Sequence, residues 1–499
     1  MRSGSFLMFS CFALACAGSE GPVDGGGPVD TGVVDGSFDA GPEDTGVADS
    51  GPEDAGVVVD WQTPIRTLLD KYVEAGWTPG FSVGVWRDGH AEFLSVGRVD
   101  SAREGAPTPD TIYELASVTK LFTTLRLALA VEQGLVSLDT PLQDLVPQGV
   151  TVPDLAGNPI LLRHLATHTA GLPAWPPAAL PSPAPGAVSV TAIDAEALYA
   201  DLSNTTLSVL PGHVIGYSSF GVALLGQALL PATGAADLDA LLRADISAPL
   251  GLTDTGLELT ADQEARLAPP HLAPDQPMPR LLLGALSPAA SLQGSARDLT
   301  RLLGAELEPP AGALGAAIRA TQVSRVVNGD TVVGLGWFKV TWRNVEILMV
   351  RGDAYGGHAT VVICPSAGVG VVLLTNARID TDIEAVSVAV LDEARGMPWS
   401  EAGLVIPDPD PTITPPQAEL EALAGVYRHG ETVLELVVHE GRLYAHFDNG
   451  SYLRLFASAA DTFYLRRLVA TMLVVRDGGG VITGVRWLQT GDNLYTRDP

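Results

Sequence analysis

The chain has 499 residues and a formal net charge of −29 at pH 7, with 58 Asp and Glu against 29 Lys and Arg. An acidic surface repels phosphate backbones, so the composition argues against nucleic acid as a partner. Of the three cysteines, only Cys364 lies beyond residue 16, which excludes a disulfide within the globular part of the chain.

The N-terminal sequence MRSGSFLMFSCFALACAGSE predicts export. Arg2 precedes an apolar run over 6–15 that is too short to span a bilayer. The letters ALAC resemble the lipobox of bacterial lipoproteins, which would attach the mature chain to a membrane through a lipid on Cys16. An ordinary signal peptide is the alternative, because Ala13 stands where Leu is usual. We predict a signal peptide over 1–16 and an exported protein of the periplasm or cell envelope.

Residues 17–59 repeat Gly, Pro and Asp and contain no Lys or Arg, as in GPVDTGVVDGS and GPEDTGVADS. Such a composition buries too little apolar surface to offset the entropy of ordering the backbone. We therefore predict a disordered, acidic spacer. A calcium-binding array is the alternative, but the repeats lack a carboxylate at every second residue.

Globular sequence begins near residue 60. The stretch WQTPIRTLLDKYVEAG has helical apolar spacing, and PGFSVGVWRDGHAEFLSVGRV predicts two strands around the turn at Asp88. Far along the chain, ATVVICPSAGVGVVLLTN predicts a buried hairpin. Early strands, a helical middle and late strands predict a domain over 60–403 whose sheet is completed by distant segments of the chain, with a helical region inserted.

The sequence changes character near its C-terminal fifth. The stretch LVIPDPDPTITPPQ predicts an extended, Pro-rich linker over 404–417. Beyond it, alternating strands are separated by the turns HEGR, DNGS and DGGG, which are typical of hairpins. We predict a small antiparallel β domain over 418–499, of a barrel type.

The stretch ELASVTKLFTTL places Ser117 before a long apolar-periodic run and Lys120 one helical turn later on the same face. A serine hydroxyl is a poor nucleophile until a base takes its proton. A lysine can be that base only if desolvation or a nearby cation lowers its pKa. The alternative is that Ser117 merely caps a helix.

A series of stretches in a fixed order resembles the class C β-lactamase-like serine hydrolases, which include β-lactamases, DD-carboxypeptidases, D-amino-acid peptidases and esterases. The stretches are TPDTIYELASVTKLFTTL, AVEQGLVSLDTPLQDLVP, LLRHLATHTAGLP, PGHVIGYSSFGVALLGQAL and GSARDLTRLL. The resemblance implies the mixed α/β fold of that family, with an antiparallel sheet flanked by helices, an all-helical region, and the active site between them.

The resemblance also implies residue roles. Ser117 matches the nucleophile, Lys120 its partner base, and Tyr217 the tyrosine that assists proton transfer to the leaving group. The alternative for Tyr217 is a packed aromatic residue. Ser219 stands where the family's Tyr-Ser-Asn motif has Asn, and its hydroxyl has a shorter reach and a single donor.

The family's third motif departs from its pattern here. Lys or His, a small residue and Gly are expected on an edge strand, and Arg351-Gly352-Asp353 stand in their place. Arg351 could bind a substrate carboxylate. Asp353 replaces a glycine that lets substrate backbone approach the strand, and His358 falls at an aromatic position. We predict Ser219, Arg351 and Tyr355 as substrate-binding residues.

His164 and His168 have the i, i+4 spacing of a metal pair, but no carboxylate follows the zinc-peptidase pattern, so packing is favoured. No metal or organic cofactor is predicted. The sequence therefore predicts a serine hydrolase that acts on an ester, amide or β-lactam carbonyl of a small molecule or peptide. The alternative is a binding protein that keeps the fold but has lost turnover through its third motif.

Overall fold

Most of the globular chain is described by the computed structural model, which covers residues 59–100, 105–180, 184–185, 190–273, 275–379, 383–400, 404, 413–447, 452–465, 470–489 and 491–498. The predicted signal peptide with Cys16, nearly all of the predicted spacer and most of the predicted linker lie outside these residues. Those assignments, with the predicted domain boundaries, stay predictions.

The elements of the N-terminal four fifths alternate between strands and helices. In chain order they are α1 (Gln62–Glu74), β1 (Gly80–Arg87), β2 (His90–Gly97), β3 (Ile112–Glu114), α2 (Thr119–Glu132), α3 (Leu162–Ala166), α4 (Ala195–Asn204), α5 (Ser219–Thr233), α6 (Leu238–Leu242), α7 (Ala248–Leu250), α8 (Ala261–Arg266), β4 (His271–Ala273), β5 (Gln276–Pro277), α9 (Ser287–Ala290), β6 (Gln293–Ser295), α10 (Ala296–Leu307), α11 (Ala313–Thr321), β7 (Val326–Asn328), β8 (Thr331–Val333), β9 (Phe338–Trp342), β10 (Val345–Ala354), β11 (Gly357–Cys364), β12 (Val369–Thr375) and α12 (Ile383–Ala394).

The main sheet is antiparallel and has the strand order β2-β1-β12-β11-β10-β9-β8-β7. Early and late parts of the chain meet in this sheet where β1 pairs with β12. Side chains alternate between two cores along each central strand. On β12, for example, Val371 and Leu373 face α1 and α12, whereas Val372 and Leu374 face α10 and the helical region. Burial on both faces explains why these strands read as continuous apolar runs.

The helical region packs around α2. From Thr119 to Ala130, every residue of this helix is buried, as expected for a helix enclosed on all sides. It contacts α5, α9 and α11. Its N-terminal end, next to β10 of the sheet, is therefore held rigidly between the two parts of the fold.

The C-terminal strands form a closed antiparallel barrel in sequential order. Its elements are α13 (Gln417–Leu423), β13 (Gly425–His429), β14 (Thr432–His439), β15 (Arg442–Phe447), β16 (Leu453–Ala459), β17 (Thr462–Leu465), β18 (Ala470–Arg476), β19 (Ile482–Leu488) and β20 (Asp492–Arg497). The interior is filled with apolar side chains, and Leu420 and Leu423 of α13 join that core. The predicted fold class, including the small C-terminal β domain, is confirmed.

The barrel contacts the β4–β5 hairpin of the larger domain. Arg454 makes a bidentate ion pair with Asp275, at 2.8 and 2.9 Å. Gln276 donates a hydrogen bond to the hydroxyl of Tyr444 at 3.3 Å. Because the hairpin also bonds through His271 to Asn376 at the end of β12, the barrel is connected to the sheet edge near the candidate site.

Across the described ranges, no single helix has the length and apolar composition to cross a membrane; the bent pair Ser219–Thr233 and Leu238–Leu250 passes that test only when its two parts are taken together.

Candidate active site

Ser117 lies in a short 3-10 turn, Ala116–Val118, that leads directly into α2. The turn is anchored by β3, which pairs with β6, and by Thr119, whose hydroxyl accepts a hydrogen bond from the backbone of Leu292 at 3.0 Å. Ala116 has a φ of 44°, a left-handed conformation that costs an alanine about 1 kcal/mol or more. Strain of this kind is common beside reactive groups.

The amine of Lys120 reaches both Ser117 and the helical region. Its Nζ is 2.9 Å from Ser117 Oγ and 2.9 Å from the carbonyl oxygen of Ala289. The side chain is only 2% exposed, and this burial lowers the pKa of the Lys120 amine to about 7. A large fraction of the amine is therefore neutral near pH 7 and has a lone pair for a proton.

Tyr217 immediately precedes α5 and reaches the same hydroxyl from the other side. Its Oη donates a hydrogen bond to Ser117 Oγ at 2.7 Å, and the Lys120 Nζ lies 4.8 Å from the centre of its ring. Burial raises the pKa of the Tyr217 phenol. The phenol thus stays protonated near neutral pH. We call Ser117, Lys120 and Tyr217 the helical wall of the site.

Two further side chains hold Tyr217 in place, and sequence reasoning missed this role for both. The ring of His168 packs against Tyr217 at a tilt of 35° with centroids 4.4 Å apart, and Phe338 stacks on His168 at 5.9 Å. His168 Nδ1 accepts a hydrogen bond from the backbone of Ser218 at 3.2 Å. Burial, together with the Lys120 charge, lowers the pKa of His168 to about 3. A neutral His168 therefore fixes the backbone beside Tyr217.

Ser219, the residue that replaces the family asparagine, is the first residue of α5 and is buried. Its Oγ makes no hydrogen bond of normal geometry within the described residues. It nevertheless lies near enough to the Tyr217 hydroxyl to favour ionisation of that phenol, against the larger effect of burial on the Tyr217 pKa. Its predicted role in substrate binding stays a prediction.

The opposite side of the site is formed by β10. This strand pairs with β9 only over Val345–Met349, so residues 350–354 have one edge without a strand partner in the described chain. Gly352 brings that edge against the nucleophile: a Cβ there would overlap the carbonyl oxygen of Leu115 and lie 3.1 Å from the Ser117 nitrogen. The glycine is required for the close approach of the two parts.

Charged and titratable side chains continue along this strand. Arg351 donates to Asp353 at 2.7 Å and lies 3.5 Å from Glu384. His358 of β11 is opposite Asp353 in the register and contacts its carboxylate at 2.5 Å. We call Arg351, Asp353 and His358 the strand wall. The spacing of Asp353 and His358 around the tight turn at 355–356 could have predicted this pair, since hairpin register puts them opposite each other.

Tyr355 occupies that turn, between β10 and β11. The guanidinium of Arg378 lies 5.9 Å from the centre of its ring. Tyr355 therefore lies directly after β10, at the end of the strand wall. Its role in binding substrate stays a prediction.

The two histidines with metal-like spacing do not point to a common site. His164 Nδ1 accepts a hydrogen bond from the backbone of Leu161 at 3.2 Å, whereas His168 bonds to Ser218. Within the described ranges, no group of three or more His, Cys, Asp and Glu side chains is arranged to hold a metal ion.

Known proteins similar to this chain include hydrolases. The family model described as Beta-lactamase matches residues 65–393. A β-lactamase from Yersinia enterocolitica is 27% identical over 354 residues, which cover 63% of this chain and 86% of that protein. The D-alanyl-D-alanine-carboxypeptidase/endopeptidase AmpH of Escherichia coli (strain K12) is 32% identical over 208 residues, which cover 40% of this chain and 52% of that protein.

The fold is also similar to the folds of solved β-lactamase structures. A class C β-lactamase from Rhodobacter sphaeroides superposes with a TM-score of 0.58 at 25% identity, covering 66% of this chain and 98% of that chain. A β-lactamase/D-alanine carboxypeptidase from Yersinia pestis gives a TM-score of 0.55 at 24% identity, with 66% and 98% covered. The chain therefore belongs to the β-lactamase family, and its general chemistry is that of a serine hydrolase.

Proposed function

We propose that this protein hydrolyses an ester, amide or β-lactam through an acyl-enzyme on Ser117. The observation that carries the proposal is the convergence of Lys120 Nζ and Tyr217 Oη on Ser117 Oγ, at 2.9 and 2.7 Å. A cap serine would need neither partner. Hydrogen-bonded nucleophile, base and orienting group are the arrangement that activates a hydroxyl.

Acylation begins when neutral Lys120 takes the proton of Ser117. One N–H of the amine donates to Ala289, which leaves the lone pair free to face the hydroxyl. Ser117 Oγ bonds to the substrate carbonyl carbon, and the carbonyl electrons move to its oxygen. We assign stabilisation of that oxyanion to the backbone N–H of Ser117 and to the β10 edge that Gly352 brings against it.

The intermediate then collapses and expels the leaving group. The proton held by Lys120 passes through the Tyr217 hydroxyl to the leaving atom, since both groups contact Ser117 Oγ. Water next attacks the acyl ester with the same groups acting in reverse, which releases the acid and restores Ser117. No metal or organic cofactor takes part in these steps.

A labelling experiment tests this function. A neutral fluorophosphonate probe should modify the wild-type protein on the peptide that contains Ser117, and Ser117→Ala should not be labelled. The thermal midpoints of the two proteins should agree, because a half-buried hydroxyl is lost without leaving a large cavity.

The second candidate is a binding protein without turnover, and the observation that favours it is the acidic residue Asp353 in the strand wall. A folded wild type that the probe does not label would support it over the hydrolase. If labelling succeeds, turnover of nitrocefin, D-Ala-D-Ala peptides and short-chain p-nitrophenyl esters separates the three substrate types.

A further inference from the structure

The carboxylate of Asp353 is held in one orientation at the mouth of the site. Both of its hydrogen bonds go to the same oxygen, Oδ1, which accepts from Arg351 Nε at 2.7 Å and contacts His358 Nδ1 at 2.5 Å. Within the described residues, Oδ2 accepts no hydrogen bond. The side chain is 49% exposed, so the carboxylate can be reached from solvent.

The proton on His358 can be assigned from its other contact. His358 Nε2 accepts a hydrogen bond from the backbone N–H of Ile379 at 2.8 Å. That nitrogen therefore carries no proton, and Nδ1 donates to Asp353. His358 is neutral in this arrangement, and it orients the carboxylate without cancelling its charge.

The charges on the strand wall do not sum to a cation. Arg351 contacts two carboxylates, Asp353 at 2.7 Å and Glu384 at 3.5 Å. Burial opposes ionisation of Asp353, whereas the hydrogen bond from His358 and the charge and hydrogen bond of Arg351 favour it and lower the pKa of this carboxyl. Arg351, Asp353 and Glu384 thus carry one positive and two negative charges between them.

The carboxylate is also close to the reacting groups. Asp353 follows Gly352, whose missing Cβ allows the strand to contact the backbone of Ser117. The negative charge of Asp353 contributes, after burial, to the raised pKa of Tyr217. We expect a substrate that acylates Ser117 to lie along this edge of β10, on the side of the site that carries Asp353.

We propose that Asp353 is a specificity-determining residue that selects substrates with a cationic group, such as an ammonium, on the part that lies along β10, and that it disfavours a carboxylate there. This inference rests on the proposed serine hydrolase function. A cation gains a charge-assisted contact with Oδ2, whereas a carboxylate is repelled. Arg351 and His358 act as positioning residues for this contact.

Two series of esters test the selection from either side of the scissile bond. On the leaving side, the acetate esters of choline, of its uncharged isostere 3,3-dimethylbutanol and of 3-hydroxypropionate share one two-carbon spacer and differ in the charge of the terminal group. On the acyl side, p-nitrophenyl esters of 4-trimethylammoniobutyrate, of 5,5-dimethylhexanoate and of glutarate do the same. In at least one series we expect kcat/KM to be about tenfold higher for the cation than for its neutral isostere, and lowest for the anion.

Asp353→Asn keeps the size of the side chain and removes its charge. The ratio of kcat/KM for the cationic ester to kcat/KM for its neutral isostere should therefore fall to about two or less. Glu346→Gln is the matched control, because Glu346 is an exposed, ion-paired carboxylate at the other end of the same strand. It should keep the wild-type ratio. If Asp353→Asn does not fold, the wild-type ratio measured between about 0.05 and about 1 M NaCl replaces it, since salt screens an exposed contact.

The outcomes separate this inference from the proposed function. A wild type that is labelled on Ser117 but shows no cation preference, or prefers the anion, overturns the inference alone; preference for the anion would favour Arg351 as a carboxylate ligand. A preference that persists in Asp353→Asn, or one that salt does not weaken, removes Asp353 from the assignment. Absence of labelling overturns the hydrolase function and the inference with it.

Discussion

The helical wall and the strand wall meet at Ser117, but they differ in burial and in charge. On the helical wall, Lys120 is almost fully buried and Tyr217 is partly buried, and both interact with the Ser117 hydroxyl. On the strand wall, Arg351 and Asp353 are partly exposed and form ion pairs. Burial on one side produces a base with a lowered pKa, whereas exposure on the other leaves permanent charges facing solvent.

This difference separates reactivity from selection. A buried amine is a useful base because desolvation removes its proton near pH 7. Exposed charges are worth little to stability, but they can attract or repel a charged substrate. Changes on the helical wall should therefore alter the rate for every substrate, and changes in strand-wall charge should alter the ratio between substrates.

The largest expected effect comes from Lys120. Lys120→Ala should lower the acylation rate about 10²–10⁴-fold for all substrates, the usual range for a positioned proton acceptor. Lys120→Arg should lose nearly as much, because a guanidinium stays protonated. The measurement is stopped-flow acylation with a neutral ester.

Lys120→Met serves as the stability control, because it fills the same space without a buried amine. Its thermal midpoint should equal or exceed that of the wild type, since burial of the amine disfavours its charged form. A wild-type acylation rate in Lys120→Arg would exclude Lys120 as the base. A large common loss of stability would favour a structural role instead.

Gly352→Ala should separate the two walls. The added methyl group would overlap the backbone of Leu115, so β10 must move away from Ser117, and a displacement near 1 Å can cost about 10²-fold in rate. Acylation should fall for cationic, neutral and anionic esters alike. Gly478→Ala is the matched control, because a Cβ there has no neighbour within 4 Å; equal rates for the two variants would contradict contact between the walls.

The pH dependence of kcat/KM for a neutral ester should reflect the titration of Lys120 on the helical wall, and not of groups on the strand wall. Because the pKa of Lys120 is about 7, the neutral amine is lost as pH falls through 7, and kcat/KM for a neutral ester should rise about tenfold from about pH 6 to about pH 8. The lowered pKa of His168 and the raised pKa of Tyr217 keep both groups neutral across this window. Asp353→Asn should retain the inflection, and its disappearance there would mean that the strand wall sets the pKa.

The smallest expected effect concerns His168, which positions Tyr217 by stacking and by accepting from Ser218. His168→Asn can keep the acceptor and suits the φ of 58°, but it loses the ring. His168→Phe keeps the ring and leaves a buried N–H unpaired. We expect kcat for neutral esters to fall about fivefold in each variant, in line with aromatic-pair and hydrogen-bond energies of about 1 kcal/mol.

The readout for His168 is kcat against KM, with a melting curve for each variant. A positioning role predicts a loss in kcat at a nearly constant KM for neutral esters. Equal loss of stability in both variants with unchanged kcat would show that His168 only packs.

Local spacing was enough to predict one part of the site. Because residues three apart on a helix share a face, the sequence alone brought Lys120 next to Ser117, and two continuous apolar runs predicted the buried hairpin of β11 and β12. Tyr217 could be placed only through the family resemblance, since it is 100 residues from Ser117. The lowered pKa of Lys120 needed the enclosing helices, which no local pattern contains.

The strand wall shows what remained for the tertiary structure to decide. The family resemblance placed Arg351 and Asp353 on a strand, but Glu384 and the backbone of Ile379 come from the segment after β12. Glu384 contacts Arg351, and the Ile379 N–H determines which nitrogen of His358 carries its proton. The sequence alone determined which helices and strands carry these residues and in what order, because secondary structure follows short periodicities. Their charge and orientation depend on desolvation and on contacts between distant segments, which only the folded chain supplies.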